Sequence, residues 1–385
     1  MFDKDYKIED LMAFDEKYVL HTYARRKIRF SFGDGAKLYT PCSKQFIDFG
    51  SGIGVCSVGH GNKKLFEAIA EQTRDLIHLS NIYLIEYQAL LAKKIIELCG
   101  YDMRIFFSNS KREANECAIK IARKFGKKNT QTTKDKIIIL ESSFYEFMDD
   151  LFLEKILKAK NINQIYDLID EETCAVFIHL TYGEDGLGLQ KQEVQKLTKI
   201  LKEKNILLMV DETHSGVYRC GEFFASKIYG IVPDVVTISN GLGGGVPIAA
   251  TLSNIKDIFE PGDYGSIFGG NFLSTRAALS VLQILEEEYG LGKISEISEF
   301  FNQYLEEVLK KFPCLFEKKI GLGLMCALYV KNEQIQNRIL ESAFEEQLLI
   351  LKAGKNLISF LPALNISKEE ITEGFMRFQK ACEKI

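Results

Sequence analysis

Between about residues 60 and 250, short apolar runs alternate with longer segments of helical period, and this alternation restricts the chain to few architectures. Lys136 to Leu140, Cys174 to Leu180, Asn205 to Asp211 and Asp234 to Ile238 are almost continuously apolar, as strands buried on both faces are. Amphipathic stretches such as Gln190 to Lys204 separate them and are long enough for crossover helices. Strand, helix and strand in repeated order predict an α/β unit with a mainly parallel sheet, whose ligands sit at the carboxyl ends of the strands.

After about residue 290 the rhythm changes. A long charged helix pattern (Ser295 to Lys311), a strand region around Gly321 to Val330 and a further helix (Glu333 to Gln347) predict a smaller α+β domain. A chain of 385 residues is too long for one ordinary core. The expected division is an N-terminal segment (1–50) packing with the small domain, a large α/β domain (51–285) and a C-terminal small domain (286–385).

Charge narrows the partners. Forty-nine basic against 53 acidic residues leave a net charge of -4, which favours neither nucleic acid nor an anionic membrane. The nine cysteines are scattered without a Cys-x-x-Cys pair, so free thiols in a reducing compartment are expected. No apolar stretch approaches the roughly 20 residues that span a bilayer, and the charged N-terminus lacks the order of a secretory signal. A cytoplasmic location is the expectation.

Four segments with chemical content fall where a strand-end site would be. Ser110-Lys111-Arg112-Glu113 has the spacing of a capping box and opens a helical run to Phe125, with Gly126 expected to end it. Such a helix start offers backbone N–H groups to a phosphate, although most capping boxes only cap. Val210 to Gly221 closes an apolar strand on Asp211-Glu212, for which a solvated strand-end turn is the plain alternative. Pro233 to Ile248 includes Asn240 and the glycines 241 and 243 to 245, and Gly265 to Asn271 includes Ser266 and Ile267.

Taken in this order, the four segments resemble the class III, fold-type I aminotransferases that use pyridoxal phosphate (PLP), and most of all those of the acetylornithine type. Ile47 to Cys56 with Gly59-His60, and Phe360 to Ile366, extend the resemblance to nearly the whole chain. The resemblance implies a homodimer with sites at the subunit interface, PLP as cofactor and a small-molecule amino compound as ligand. It places Asp211 against the pyridinium nitrogen, which keeps the ring an electron sink. Ser110, Lys111, Arg112, Phe144, Tyr145, Glu184, His214, Asn240, Ser266 and Ile267 fall at its other cofactor positions.

Several of these positions depart from the family pattern. Asn240 stands where the lysine forms the Schiff base, and an amide nitrogen is neither a nucleophile nor a base at pH 7. Lys111-Arg112 fill the place of a small pair whose backbone approaches the phosphate, where bulky side chains would crowd the phosphate or contact it. Ile267 replaces a threonine hydroxyl, His214 a glutamine and His179 a glutamate, while Tyr145 can still stack on the ring as the usual histidine does. Phe147 and Ser359 fall where arginines hold substrate carboxylates, a contact that neither side chain reproduces.

The expectation is therefore a degenerate relative with no catalytic lysine. A PLP enzyme of altered chemistry acting on an amino compound, with the cofactor held noncovalently, stays open, as does an ordinary aminotransferase. His179 and His214 read as wall histidines more readily than as replacement bases. Lys111, at a helix start, reads as exposed rather than as a substitute Schiff-base amine.

Overall fold

A computed structural model describes residues 6–128, 134–140, 155–181 and 188–385. Its centre is a seven-stranded sheet in the order Arg104–Ser108, Ala249–Ser253, Val235–Ile238, Leu207–Asp211, Thr173–Ile178, Lys136–Leu140, Ile156–Ala159. The last five strands run parallel to one another. Ala249–Ser253 runs against both of its neighbours, so the sheet is mixed at one side. Every residue of Lys136–Leu140, Thr173–Ile178, Leu207–Asp211 and Val235–Ile238 is buried, which matches their unbroken apolar sequence.

Helix Lys111–Lys128 covers one face of this sheet, and its Ala114, Cys117, Ala118, Ile119, Ile121 and Ala122 are buried. The helix does not stop at Gly126, as the sequence led us to expect. Gly126 is buried within it, and a Cβ there would lie 1.9 Å from the Lys134 carbonyl oxygen and 2.8 Å from Cys174 Cβ. This glycine allows a close approach of helix to sheet rather than a left-handed helix end.

Two smaller sheets flank the large one. Phe316–Leu322, Met325–Val330, Leu357–Phe360 and Leu351–Ala353 form an antiparallel sheet. Phe32–Asp34, Lys37–Tyr39 and Gln45–Asp48 form a meander whose last strand pairs in parallel with Leu348–Leu349, bringing Ile47 opposite Leu348. The N-terminal segment is thereby tied to chain three hundred residues further on. Phe49, Phe301, Phe360, Phe375 and Phe378, all fully buried, fill the space between.

The remaining helices are set by their caps. Asn271 accepts the Ser274 N–H at the start of Phe272–Gly290, and Ser367 with Glu370 makes a reciprocal capping box on Lys368–Glu383. Among the described residues no helix is long and apolar enough to cross a membrane. All nine cysteines are free, and six are buried.

Candidate active site

Three parallel strands deliver the site at their carboxyl ends. Thr173–Ile178 is followed by His179, Leu207–Asp211 ends on Asp211, and Val235–Ile238 leads through Ser239 to the short turn Asn240–Leu242. Asp211 and Glu212 are both buried and point to different duties. Glu212 accepts the backbone N–H groups of Ser226 (2.8 Å) and Ala225 (3.1 Å) and the Ser215 hydroxyl, which fixes the next helix. Burial raises its carboxyl above the usual range, against those hydrogen bonds.

Asp211 faces the cavity. Its Oδ1 accepts the Thr213 N–H (2.9 Å) and hydroxyl, while its Oδ2 accepts Asn115 Nδ2 (3.3 Å) and lies 3.4 Å from the Lys111 ammonium. Burial alone would raise this carboxyl, but the Lys111 charge and the Thr213 hydrogen bonds outweigh it and hold it at about 2. Lys111 is the first residue of its helix, yet its side chain is only 19% exposed because it turns inward. Burial lowers its ammonium below the ordinary lysine value, and Asp211 opposes that shift.

His214 closes another side. Burial, then the Lys111 charge, push its imidazole down to about 3, so the ring is neutral at pH 7. Its Nδ1 lies 3.4 Å from Asn240 Nδ2, which also donates to the Ile53 carbonyl oxygen at 3.0 Å. The Asn240 backbone N–H donates to Thr213 O at 3.1 Å. Ile53 is held at φ 64° between Gly52 and Gly54, also left-handed, an unusual conformation for a β-branched residue. The Asn240 amide is thus seated between the Asp211 turn and this strained loop.

The outer side of the helix start is arranged differently. Ser110 is exposed and its hydroxyl accepts the Glu113 N–H at 3.3 Å. The Glu113 carboxylate reaches back to Asn109, accepting its N–H (2.6 Å) and its side-chain amide (2.9 Å), one residue before the position expected of a simple box. Arg112 lies along its own helix, bonded to Glu116 at 3.0 Å. Ser266 accepts Asn109 Nδ2 and the Gly269 N–H, both at 3.1 Å, so the 265–270 loop is joined to this end of the helix. Ile267 at its tip is 74% exposed.

The structure therefore brings Lys111, Asp211, His214 and Asn240 together and leaves Ser110, Arg112, Ser266 and Ile267 at the rim. Phe144, Tyr145 and Glu184 lie outside the described residues, as does Phe147. Among the described residues, His179, Thr181, Ser215 and Met325 also line the cavity. Met325 comes from the small antiparallel sheet and carries no local sequence signal. Asn115 does: it lies four residues after Lys111 on a helix, so both project from one face. Arg219, likewise buried, donates to Pro362 O (2.5 Å) and Leu324 O (3.3 Å), anchoring the strand-end loop to the C-terminal chain.

The resemblance implies a PLP ring on Asp211, and the described residues do not fit one in this arrangement. The cavity that Lys111, Asp211, His214 and Met325 help to line has a volume of about 10 Å³, room for about one water. A ring nitrogen reaching Asp211 would have to displace the Lys111 ammonium.

Comparison with known proteins follows the fold. The aminotransferase class-III family matches residues 21–146 and 147–382. An acetylornithine aminotransferase from Wolinella succinogenes is 49% identical over 97% of this chain and 99% of its own length. One from Aquifex aeolicus is 37% identical over 92% of this chain and 96% of its own. The crystal structure of N-acetylornithine aminotransferase from Stenotrophomonas maltophilia superposes with a TM-score of 0.84 at 27% identity, covering 97% of this chain and 98% of that one. PLP is the cofactor expected of class III aminotransferases and of their acetylornithine-type members. Matched over nearly its whole length in both sequence and fold, this chain belongs to the class III aminotransferases.

Proposed function

We propose that this chain is an acetylornithine aminotransferase-like protein in which Asn240 stands at the Schiff-base position and standard transamination is lost. One observation supports this above the others: the Asn240 amide is occupied by Ile53 O and His214, and it has no amine to offer an aldehyde. The lysine that does reach the cavity, Lys111, is paired with Asp211. Neutral His214 has its Nδ1 directed at Asn240. Buried Ser359 at an expected arginine position leaves a substrate carboxylate without a guanidinium there.

The same reading makes the protein a cytoplasmic homodimer. Leu84 (86% exposed), Ile82 (83%), Ile267 (74%) and Phe268 (61%) form apolar surface on two loops that Asn81 joins by donating to Ser266 O and Gly269 O. Exposed apolar surface of this kind favours burial against a second copy.

Incubation of the purified chain with PLP, borohydride reduction and mass spectrometry tests the lost amine. The proposal expects no pyridoxyl adduct on any lysine of the site. A stoichiometric adduct there, accompanied by turnover of acetylornithine with 2-oxoglutarate, would overturn it.

A further inference from the structure

We propose that Lys111 is an intramolecular lock on the ring pocket: its ammonium occupies the counter-ion position of Asp211, and a cofactor ring must displace it to enter. The inference rests on the reading of Asp211 as partner of the ring nitrogen. It goes beyond loss of the Schiff base, because a site lacking only that lysine would still accept a ring noncovalently.

Four observations converge on it. Lys111 starts the helix but points inward, its Nζ 3.4 Å from Asp211 Oδ2. Asp211 is buried, and a buried carboxylate requires a neighbouring cation or a full set of donors. Thr213 and Asn115 supply donors and Lys111 supplies the cation, so the carboxylate is satisfied by the chain itself. The cavity that described residues line at this carboxylate has a volume of about 10 Å³, below what a ring needs.

The neighbouring groups do not compete for this role. Arg112, adjacent in sequence, is held outward by Glu116. Arg219 donates to Pro362 O and Leu324 O. His214 is neutral and cannot balance Asp211. Among the described residues that line the cavity, Lys111 is the cation paired with the carboxylate.

Pyridoxamine phosphate separates this lock from the missing Schiff base, since it carries an amine in place of the aldehyde and needs no lysine to capture it. Its binding to the full-length wild-type chain and to Lys111→Ala is measured by titration calorimetry. The lock predicts binding about tenfold tighter for Lys111→Ala, equivalent to about 1.4 kcal/mol. A gain below about threefold, weaker binding or no detectable binding to the variant overturns it, and weaker binding would make Lys111 a phosphate ligand.

A second measurement needs no substitution and decides the matter should Lys111→Ala not fold. Labelling of the wild-type chain with a bulky amine-reactive ester, read by peptide mass spectrometry, compares Lys111 with Lys63, whose side chain is 87% exposed. The lock predicts labelling of Lys111 far slower than of Lys63, and equal rates overturn it. Transaminase activity in the wild type would defeat the proposed function while leaving these two readouts to judge the lock.

Discussion

Replacing Lys111 by Met removes the charge and keeps most of the volume. Removing one partner of a buried ion pair costs about 3–5 kcal/mol. The cost is smaller here, because Asp211 keeps the Thr213 N–H and hydroxyl and the Asn115 amide, and because Lys111 is 19% exposed to screening water. A loss of about 2–3 kcal/mol follows from this discount. With an unfolding entropy of about 0.8 kcal/mol/K for a chain of 385 residues, the melting midpoint drops by about 3 °C.

The pH dependence carries the sharper signature. In the wild type Asp211 is depressed to about 2 from 3.8, so its stabilisation is present above 3.8 and is lost as pH falls through about 2. Without Lys111 the carboxyl loses its largest lowering influence and titrates at a higher pH than in the wild type, so the folded variant is relieved by taking up a proton earlier on acidification. The deficit of Lys111→Met is therefore largest near neutrality and shrinks toward acid. Calorimetry of both proteins at about pH 7.5 and pH 5 reads it. A deficit under about 0.5 kcal/mol at neutral pH, or one that grows on acidification, would refute the argument.

Other expectations follow from equally specific contacts. His60 Nε2 lies 2.9 Å from Asp48 Oδ2, and this carboxylate, with Cys56, raises the imidazole to about 10. Its stabilisation is full below about 6.5 and is lost as pH rises toward about 10, at up to about 1.4 kcal/mol per pH unit, so His60→Gln should flatten that alkaline slope in urea titrations. Gly126→Ala should cost about 3 kcal/mol despite alanine's helix propensity, because its Cβ would meet Lys134 O at 1.9 Å; a stabilised variant would contradict the packing. On the proposed homodimer, Leu84→Asp should shift the chain toward monomer in sedimentation velocity, and an unchanged dimer would remove that loop from the interface.

Much of the fold was legible because the buried strands are nearly pure in composition. Lys136–Leu140 and the helix Lys191–Glu203 lie within a residue of their expected bounds, since apolar runs and amphipathic periods have only one good placement. The strands Arg104–Ser108 and Ile156–Ala159 were not read, as each is only partly buried and carries a charge, at the start of the first and inside the second. Gly126 was misread because a glycine near a helix end has two uses, and the choice depends on Lys134 and Cys174 beyond the helix. In the site, Asp211 and Asn240 were singled out through the family resemblance, and the structure places both at the strand ends. The inward turn of Lys111 was not, since its cause is a carboxylate one hundred residues later.

The central claim is chemical, and a steady-state assay addresses it most directly: the unmodified recombinant chain, saturated with PLP, is given N-acetylornithine and 2-oxoglutarate, and glutamate is followed. The account predicts no glutamate above that of a protein-free control. Sustained formation at a rate ordinary for aminotransferases would show that the site captures and releases an amine without a lysine at position 240.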